Sequence, residues 1–442
     1  MFNILQTLSI RHKRMLLLSI VLLLSCWVIF FTGCTRQIDN AIKVDDSAGS
    51  KNAPVTNQES ENAGKSSGVL LGIKSKNSGS EENSNSFSAG IKEMKSTEIQ
   101  YKTLYITNNK GHVSLSAQGS DILVPRKDGF WLLNVETERL KNKYKEFAYE
   151  SNIDFISAQK AGSKPAPESV KKYNSEELAQ KWQEQYYPGD PKEFSNDISL
   201  ELTFVGNDYI TQYVENYGYT GGLHPRALQW LTTIPFTETG KIDVGDSFLR
   251  EEEGRGAETE VKNVSLAELL GDEVKEQFLK VGNTHLAQGK LAYSFSLQEE
   301  GEYWGLFRQE GKWVVKGQAT HSVGVARGAC VIFDTEIITP QEIVSHDVLL
   351  PKWEVLKTYI PEAKDAFSSP EEDLLVVLTP EELRVYTDFC EDYIGEVTAV
   401  INLGDIFTLE EKNEIDVFMA QWAIGDNVEK WATEANKYLK DN

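Results

Sequence analysis

The side chains able to carry chemistry in this chain are scattered rather than grouped. Six histidines stand at His12, His112, His224, His285, His321 and His346, and no two keep metal-pair spacing. The patterns HExxH, GxSxG and GxGxxG, a complete phosphate loop and an EF-hand loop are all missing. Gly64-Lys65-Ser66 ends like a phosphate loop, but Glu59 stands where its first glycine belongs. The 67 Asp and Glu residues leave a glycosidase-like carboxylate pair open by count alone. Runs such as Glu251-Glu252-Glu253 and Glu371-Glu372-Asp373 read as solvated surface. Asp365, Asp373 and Asp388 do not keep calcium-loop spacing. No cofactor and no metal site is expected, no catalytic residue is assigned, and catalysis is the less favoured reading.

Cysteine says more about place than about reaction. Arg11, Lys13 and Arg14 precede an uncharged apolar run from Met15 to Thr32. Eighteen helical residues would span about 27 Å, close to a bilayer core. The basic flank keeps that end in the cytoplasm, so the chain beyond Thr32 is exported. Phe31-Thr32-Gly33-Cys34 resembles a bacterial lipobox, which makes residues 1–33 a signal peptide and Cys34 the lipidated residue. A single uncleaved span is the alternative, and either way the body is tethered on the extracytoplasmic face of the cell membrane. Cys26 leaves with the leader. For Cys330 and Cys390 a disulfide is permissible in that compartment, with two buried free thiols as the alternative.

The other candidate cluster is aromatic. Tyr209, Tyr213, Tyr217 and Tyr219 fall on odd positions of one strand, so their rings share a face. Gly221-Gly222 then permits a tight turn, and Pro225 fixes its exit after His224. Tyr217, Tyr219, Gly221, Gly222 and His224 are therefore ligand-binding candidates. The structural alternatives are a turn histidine bonded to nearby backbone and a tyrosine face buried as sheet cover.

The elements that would position these residues read as α+β, an antiparallel sheet with packed helices. Residues 34–97 are rich in Ser, Asn, Gly, Glu and Lys and read as a lipidated N-terminus and disordered tether. Residues 98–190 form an N-terminal α+β region, with strands near 101–106, 113–123 and 130–134 and an amphipathic helix at 175–187. Residues 191–406 form the main α+β domain. It holds a three-strand meander from Ile198, a helix or helix pair over 266–288, and an inserted hairpin near 291–320. Closing strands follow at 374–378, 382–386 and 397–401. The pattern over 409–440 predicts a C-terminal helical segment, 407–442, broken at Gly425.

The run Tyr217-Gly218-Tyr219-Thr220-Gly221-Gly222-Leu223-His224-Pro225 resembles the Tyr-Thr-Gly-Gly-Ala-His signature of an extracytoplasmic domain family of unknown function. That family forms the outer region of the lysozyme-sensing anti-sigma factor RsiV and an accessory region of the deacetylase PdaC. Thr239 to Phe248 and Leu374 to Ile406 are similar to its later segments, with Tyr386, Tyr393 and Gly395 in the family's order. The resemblance implies an extracytoplasmic binding or sensing module, with cell-wall hydrolases such as lysozyme as ligands. Only 33 residues precede Cys34, so a cytoplasmic sigma-binding domain is not expected.

Charge narrows the partners. A net −22, from 45 Lys and Arg against 67 Asp and Glu, repels phosphate backbones and argues against nucleic acid. It suits a basic protein ligand, with the membrane engaged only through lipid on Cys34. The expected function is an envelope lipoprotein that binds or senses cell-wall hydrolases or cell-wall material. The alternatives are an envelope polymer-processing enzyme using carboxylates and an accessory structural lipoprotein.

Overall fold

The computed structural model describes residues 65–77, 99–144, 147–163, 194–220, 226–236, 241–242, 263–289, 295–297, 301–321, 330–407 and 413–439. The first described strands are β1 (Ser66–Asn77), β2 (Ile99–Asn109) and β3 (His112–Gly119). β4 (Ile122–Arg126), β5 (Gly129–Tyr144), β6 (Phe147–Lys160), β7 (Phe194–Val205), β8 (Tyr209–Thr220), β9 (Arg226–Pro235) and β10 (Lys241–Ile242) follow. Helices α1 (Leu266–Leu270) and α2 (Asp272–Gln288) lead to β11 (Phe295–Ser296), β12 (Trp304–Gln309), β13 (Lys312–His321) and β14 (Cys330–Asp334). Next come α3 (Trp353–Tyr359), β15 (Asp365–Ser368), β16 (Leu375–Leu378), β17 (Glu382–Tyr386), β18 (Phe389–Cys390), β19 (Tyr393–Ile394) and β20 (Ala399–Asn402). β21 (Asn413–Ile424) and α4 (Asn427–Tyr438) come last.

The strands make four main sheets. The first has the order β21-β1-β2-β3, and the second runs β4 to β9 in sequence with β10 beside β6. The third is β11-β13-β12 with β14 on β13, and the fourth is β15-β16-β17-β20; β18 and β19 pair separately. Pairing is antiparallel except where β6 meets β7 at Ile153 and Ile198. Among the described residues the architecture is thus mostly antiparallel sheet with few helices. No helix among the described residues is long and apolar enough to cross a membrane; Met15 to Thr32 lies outside them.

β1 shows why the sheets stack. Leu70 joins the core between the first and second sheets, with Tyr105, Leu200 and Phe418. Val69, Leu71 and Ile73 point the other way, into the core shared with Val376, Leu383 and Val385 of the fourth sheet. A strand buried on both faces reads as a continuous apolar run, and Val69-Leu70-Leu71 is one. Gly72 keeps the room that Phe418 needs, since a Cβ there would lie 2.7 Å from that ring. Fully burying each Leu or Ile of β1 contributes about 1.5–3 kcal/mol.

This corrects the expected tether over residues 34–97: Ser66–Asn77 is a central strand, paired with both β2 and β21. Composition averaged over sixty residues hid one short apolar run. Two of the apparent tether charges are structural as well. Glu201 of β7 takes Lys74 at 2.5 Å and Lys76 at 2.8 Å, and Lys74 also donates to the Leu202 carbonyl at 2.8 Å. Burial opposes ionisation of Glu201, but the two lysines outweigh it and hold the carboxyl below its ordinary range. The rest of 34–97, apart from Lys65, lies outside the described residues.

A second correction concerns the C-terminal helical segment. Residues 413–424 form β21, and only Asn427–Tyr438 is helix. Ile415 and Val417 enter the core facing the fourth sheet, whereas Phe418 and Met419 enter the core facing the second. A shift in the β1–β21 register accompanies this switch of faces, and Phe418 has no place in that register. The resulting run of apolar residues at mixed spacing imitates a helical period. Gly425 marks the turn, as expected, with φ 57°. The strand expected over 113–123 breaks at Ser120-Asp121. The helix expected at 175–187 lies outside the described residues.

The helix pair does occur. Ser265 caps α1 through a capping box with Glu268, and Gly271 at φ 89° separates α1 from α2. Phe278 and Leu286 of α2 pack on Trp304 and Phe333 of the third sheet. The hairpin expected near 291–320 is β12–β13, the centre of a sheet that also takes in β11 and β14.

Candidate functional site

The tyrosine strand is β8, and the described half of its aromatic face is covered. Tyr209 packs into the core around Phe204 and Trp304. The Thr211 hydroxyl lies 3.2 Å from that of Thr233 and accepts from the Leu306 N–H of β12 at 3.4 Å. A Cβ on Gly305 would sit 2.2 Å from Thr211 Cγ2, so β12 lies directly on this face. Gln318 of β13 reaches across to β9, accepting from the Leu231 N–H and donating to the Gln229 carbonyl. The third sheet therefore turns Tyr209 and Tyr213 into packing residues, which is the sheet-cover reading of that end of the face. β8 continues through Tyr217 and Tyr219, paired at Asp197 and Ser195 of β7. The side chains of Tyr217 and Tyr219, together with Gly221, Gly222, His224 and Cys34, lie outside the described residues.

The cysteines are not bonded to each other. Both are free, Cys330 half-buried and Cys390 exposed. Cys330 Sγ lies 3.8 Å from the Tyr213 hydroxyl and donates to Gln229 Oε1 at 3.3 Å. Burial pushes its thiol above the ordinary range, which makes it a poor nucleophile. The disulfide expectation is therefore corrected.

The main cluster of titratable side chains in a crevice was not anticipated from sequence. Arg308 of β12 makes a two-pronged bond to Asp365 of β15, Nε to Oδ2 and Nη2 to Oδ1, both at 2.9 Å. Nη2 also donates to the Ala366 carbonyl at 2.9 Å, and Nη1 to Asp347 Oδ1 at 3.2 Å. The guanidinium lies 4.1 Å from the Phe367 ring centroid and 5.1 Å from that of Trp313. Asp347 also accepts the Trp313 N–H on both oxygens. Burial pushes Asp347 up to about 6, against the pull of Arg308, and the neighbouring Asp365 charge adds to the rise. His346 Nε2 bonds the Ser368 carbonyl at 2.9 Å, and burial lowers its pKa. The adjacent His346 and Asp347 thus face different partners and form no dyad. The crevice holds a volume of about 10 Å³, roughly the room for one water. Its chief work is mechanical, tying the third sheet to the fourth. In sequence its one trace is the dipeptide His346-Asp347.

The third feature is a surface. Tyr359 of α3 and Tyr393 of β19 are 48% and 45% exposed, with ring centroids 6.4 Å apart, edge to face. Asp388, Glu391, Asp392 and Glu396 around them are all exposed. No group of His, Cys, Asp or Glu able to hold a metal ion occurs among the described residues.

No family model matches the chain, and no curated protein matches it. Solved structures give partial likenesses. A member of the DUF3298 family from Bacteroides fragilis is 12% identical, covering 49% of this chain and 93% of that one at a TM-score of 0.23. A DUF3298 family protein from Pseudomonas aeruginosa PAO1 is 14% identical, covering 46% of this chain and 90% of that one at a TM-score of 0.23. Scores this low carry no argument about fold or activity.

Proposed function

We propose that this chain is an extracytoplasmic binding module of a bacterial envelope, tethered through lipid on Cys34, whose ligand is a basic protein. Cell-wall hydrolases such as lysozyme are the expected ligand class. The observation that carries this reading is the distribution of charge. Between residues 330 and 407, seventeen Asp and Glu stand against four Lys and Arg, so much of the net −22 is gathered in one stretch. Such a field steers a cationic partner and repels nucleic acid, anionic lipid and a second copy of the chain. Immobilised chain lacking residues 1–33 should retain lysozyme at low salt and release it at high salt, with affinity falling at least about tenfold. Absence of retention at low salt would overturn the reading.

A further inference from the structure

We infer that the surface formed by α3 and the β18–β19 hairpin is where a basic protein docks, its Lys and Arg side chains seated on Tyr359 and Tyr393. This rests on the function proposed above and gives it a location. Tyr359 and Tyr393 are among the most exposed large hydrophobic side chains of the described body, and they touch each other. Tyrosine is enriched at the centres of interfaces because it buries much area at low entropic cost.

The pair is already fixed in place. The Tyr359 hydroxyl donates to the Asp392 carbonyl at 3.1 Å, and the Tyr393 hydroxyl donates to Asp388 Oδ2 at 3.4 Å. The Gly395 N–H donates to the Asp388 carbonyl at 2.8 Å and so braces the hairpin that carries both acceptors. The rings therefore need little further ordering when a partner arrives. Beneath them Phe389 and Ile394 are buried against Leu356 of α3 and Ile360, which follows it, and this makes the platform rigid.

Charge selects the occupant. Asp388, Glu391, Asp392 and Glu396 on and beside this hairpin are exposed, and the negative charge of Asp388 raises the Tyr393 pKa. Two nearby cations are held internally: Arg384 by Glu362 and Glu382, and Lys357 by the Pro361 and Ala363 carbonyls. An aromatic pair with Asp388 and Glu396 beside it suits a guanidinium or ammonium, which gains from the ring faces and the acids together. Val397 and Val400, each 46% exposed, add apolar area on the same stretch of chain.

The test uses the chain lacking residues 1–33 with two basic probes, lysozyme and cytochrome c, and ovalbumin as an acidic control. Tyr359→Ala with Tyr393→Ala should weaken binding of a basic probe at least about tenfold, with the thermal midpoint unchanged. Asp388→Asn with Glu391→Gln and Asp392→Asn should weaken it too and flatten its salt dependence. Tyr393→Phe, which keeps the ring and drops its hydroxyl, should retain most of the affinity. If the chain binds a basic probe but these variants bind like the parent, the location is wrong and the proposed function stands. A loss confined to Tyr217→Ala with Tyr219→Ala would have the same meaning. If neither basic probe binds the parent at low salt, the proposed function falls and this surface with it.

Discussion

Among the individual side chains, Asp347 makes the clearest prediction. Its carboxyl moves from an ordinary 3.8 to about 6 on folding, so the folded chain holds this proton more tightly than the unfolded one. A raised carboxyl pKa adds stability that is complete below about pH 4 and lost as pH rises through about 6. The shift is worth up to about 3 kcal/mol. Asp347→Asn should remove that slope, and urea titrations of parent and variant at several pH values between about 4 and 7 would show it. Equal slopes would mean Asp347 is not the titrating group. Little of this site was legible beforehand. Arg308 lies 39 residues from Asp347 and 57 from Asp365, so only the folded sheets bring them together. The tyrosines were legible as a shared face, since alternation fixes the side of a strand. The cover on that face was not, because β12 arrives from 95 residues away.

Among the strands and helices, β1 is where composition misled. A tether should be removable, whereas a central strand should not. A chain beginning at Lys65 should therefore unfold with the same cooperativity as one beginning at Cys34. A chain beginning at Ser78 lacks β1 and should not fold, giving no cooperative transition by circular dichroism. If both shortened chains fold alike, β1 is dispensable and the paired register is wrong. The hairpins, the helix pair and the closing strands β16, β17 and β20 were readable because Gly turns, caps and short apolar runs are local signals. β21 was not, since a strand with a face switch presents apolar residues at helix-like intervals. β7 carries a similar device: its register shifts between Leu202 and Phe204, and the two side chains enter different cores.

For the molecule taken entire, sequence spoke most directly about charge. The charge imbalance needs no fold to be read. The stacking of the first sheet between the second and the fourth could not be read, because no local pattern states which sheets share a core. The proposed address makes its own prediction. The full chain should partition with membranes and carry labelled palmitate, and Cys34→Ala should carry no label and keep its leader. Label retained after Cys34→Ala would remove lipid from the proposal.

The pairing of β1 with β21 also governs timing. Ser67 lies opposite Ile424, so a strand made early finds one of its two neighbours only when synthesis is nearly over. Contacts so distant along the chain slow folding. A chain emerging from the ribosome would thus stay pliable until almost all of it had been made. A ribosome that stops short of residue 413 would release a product whose central sheet cannot close.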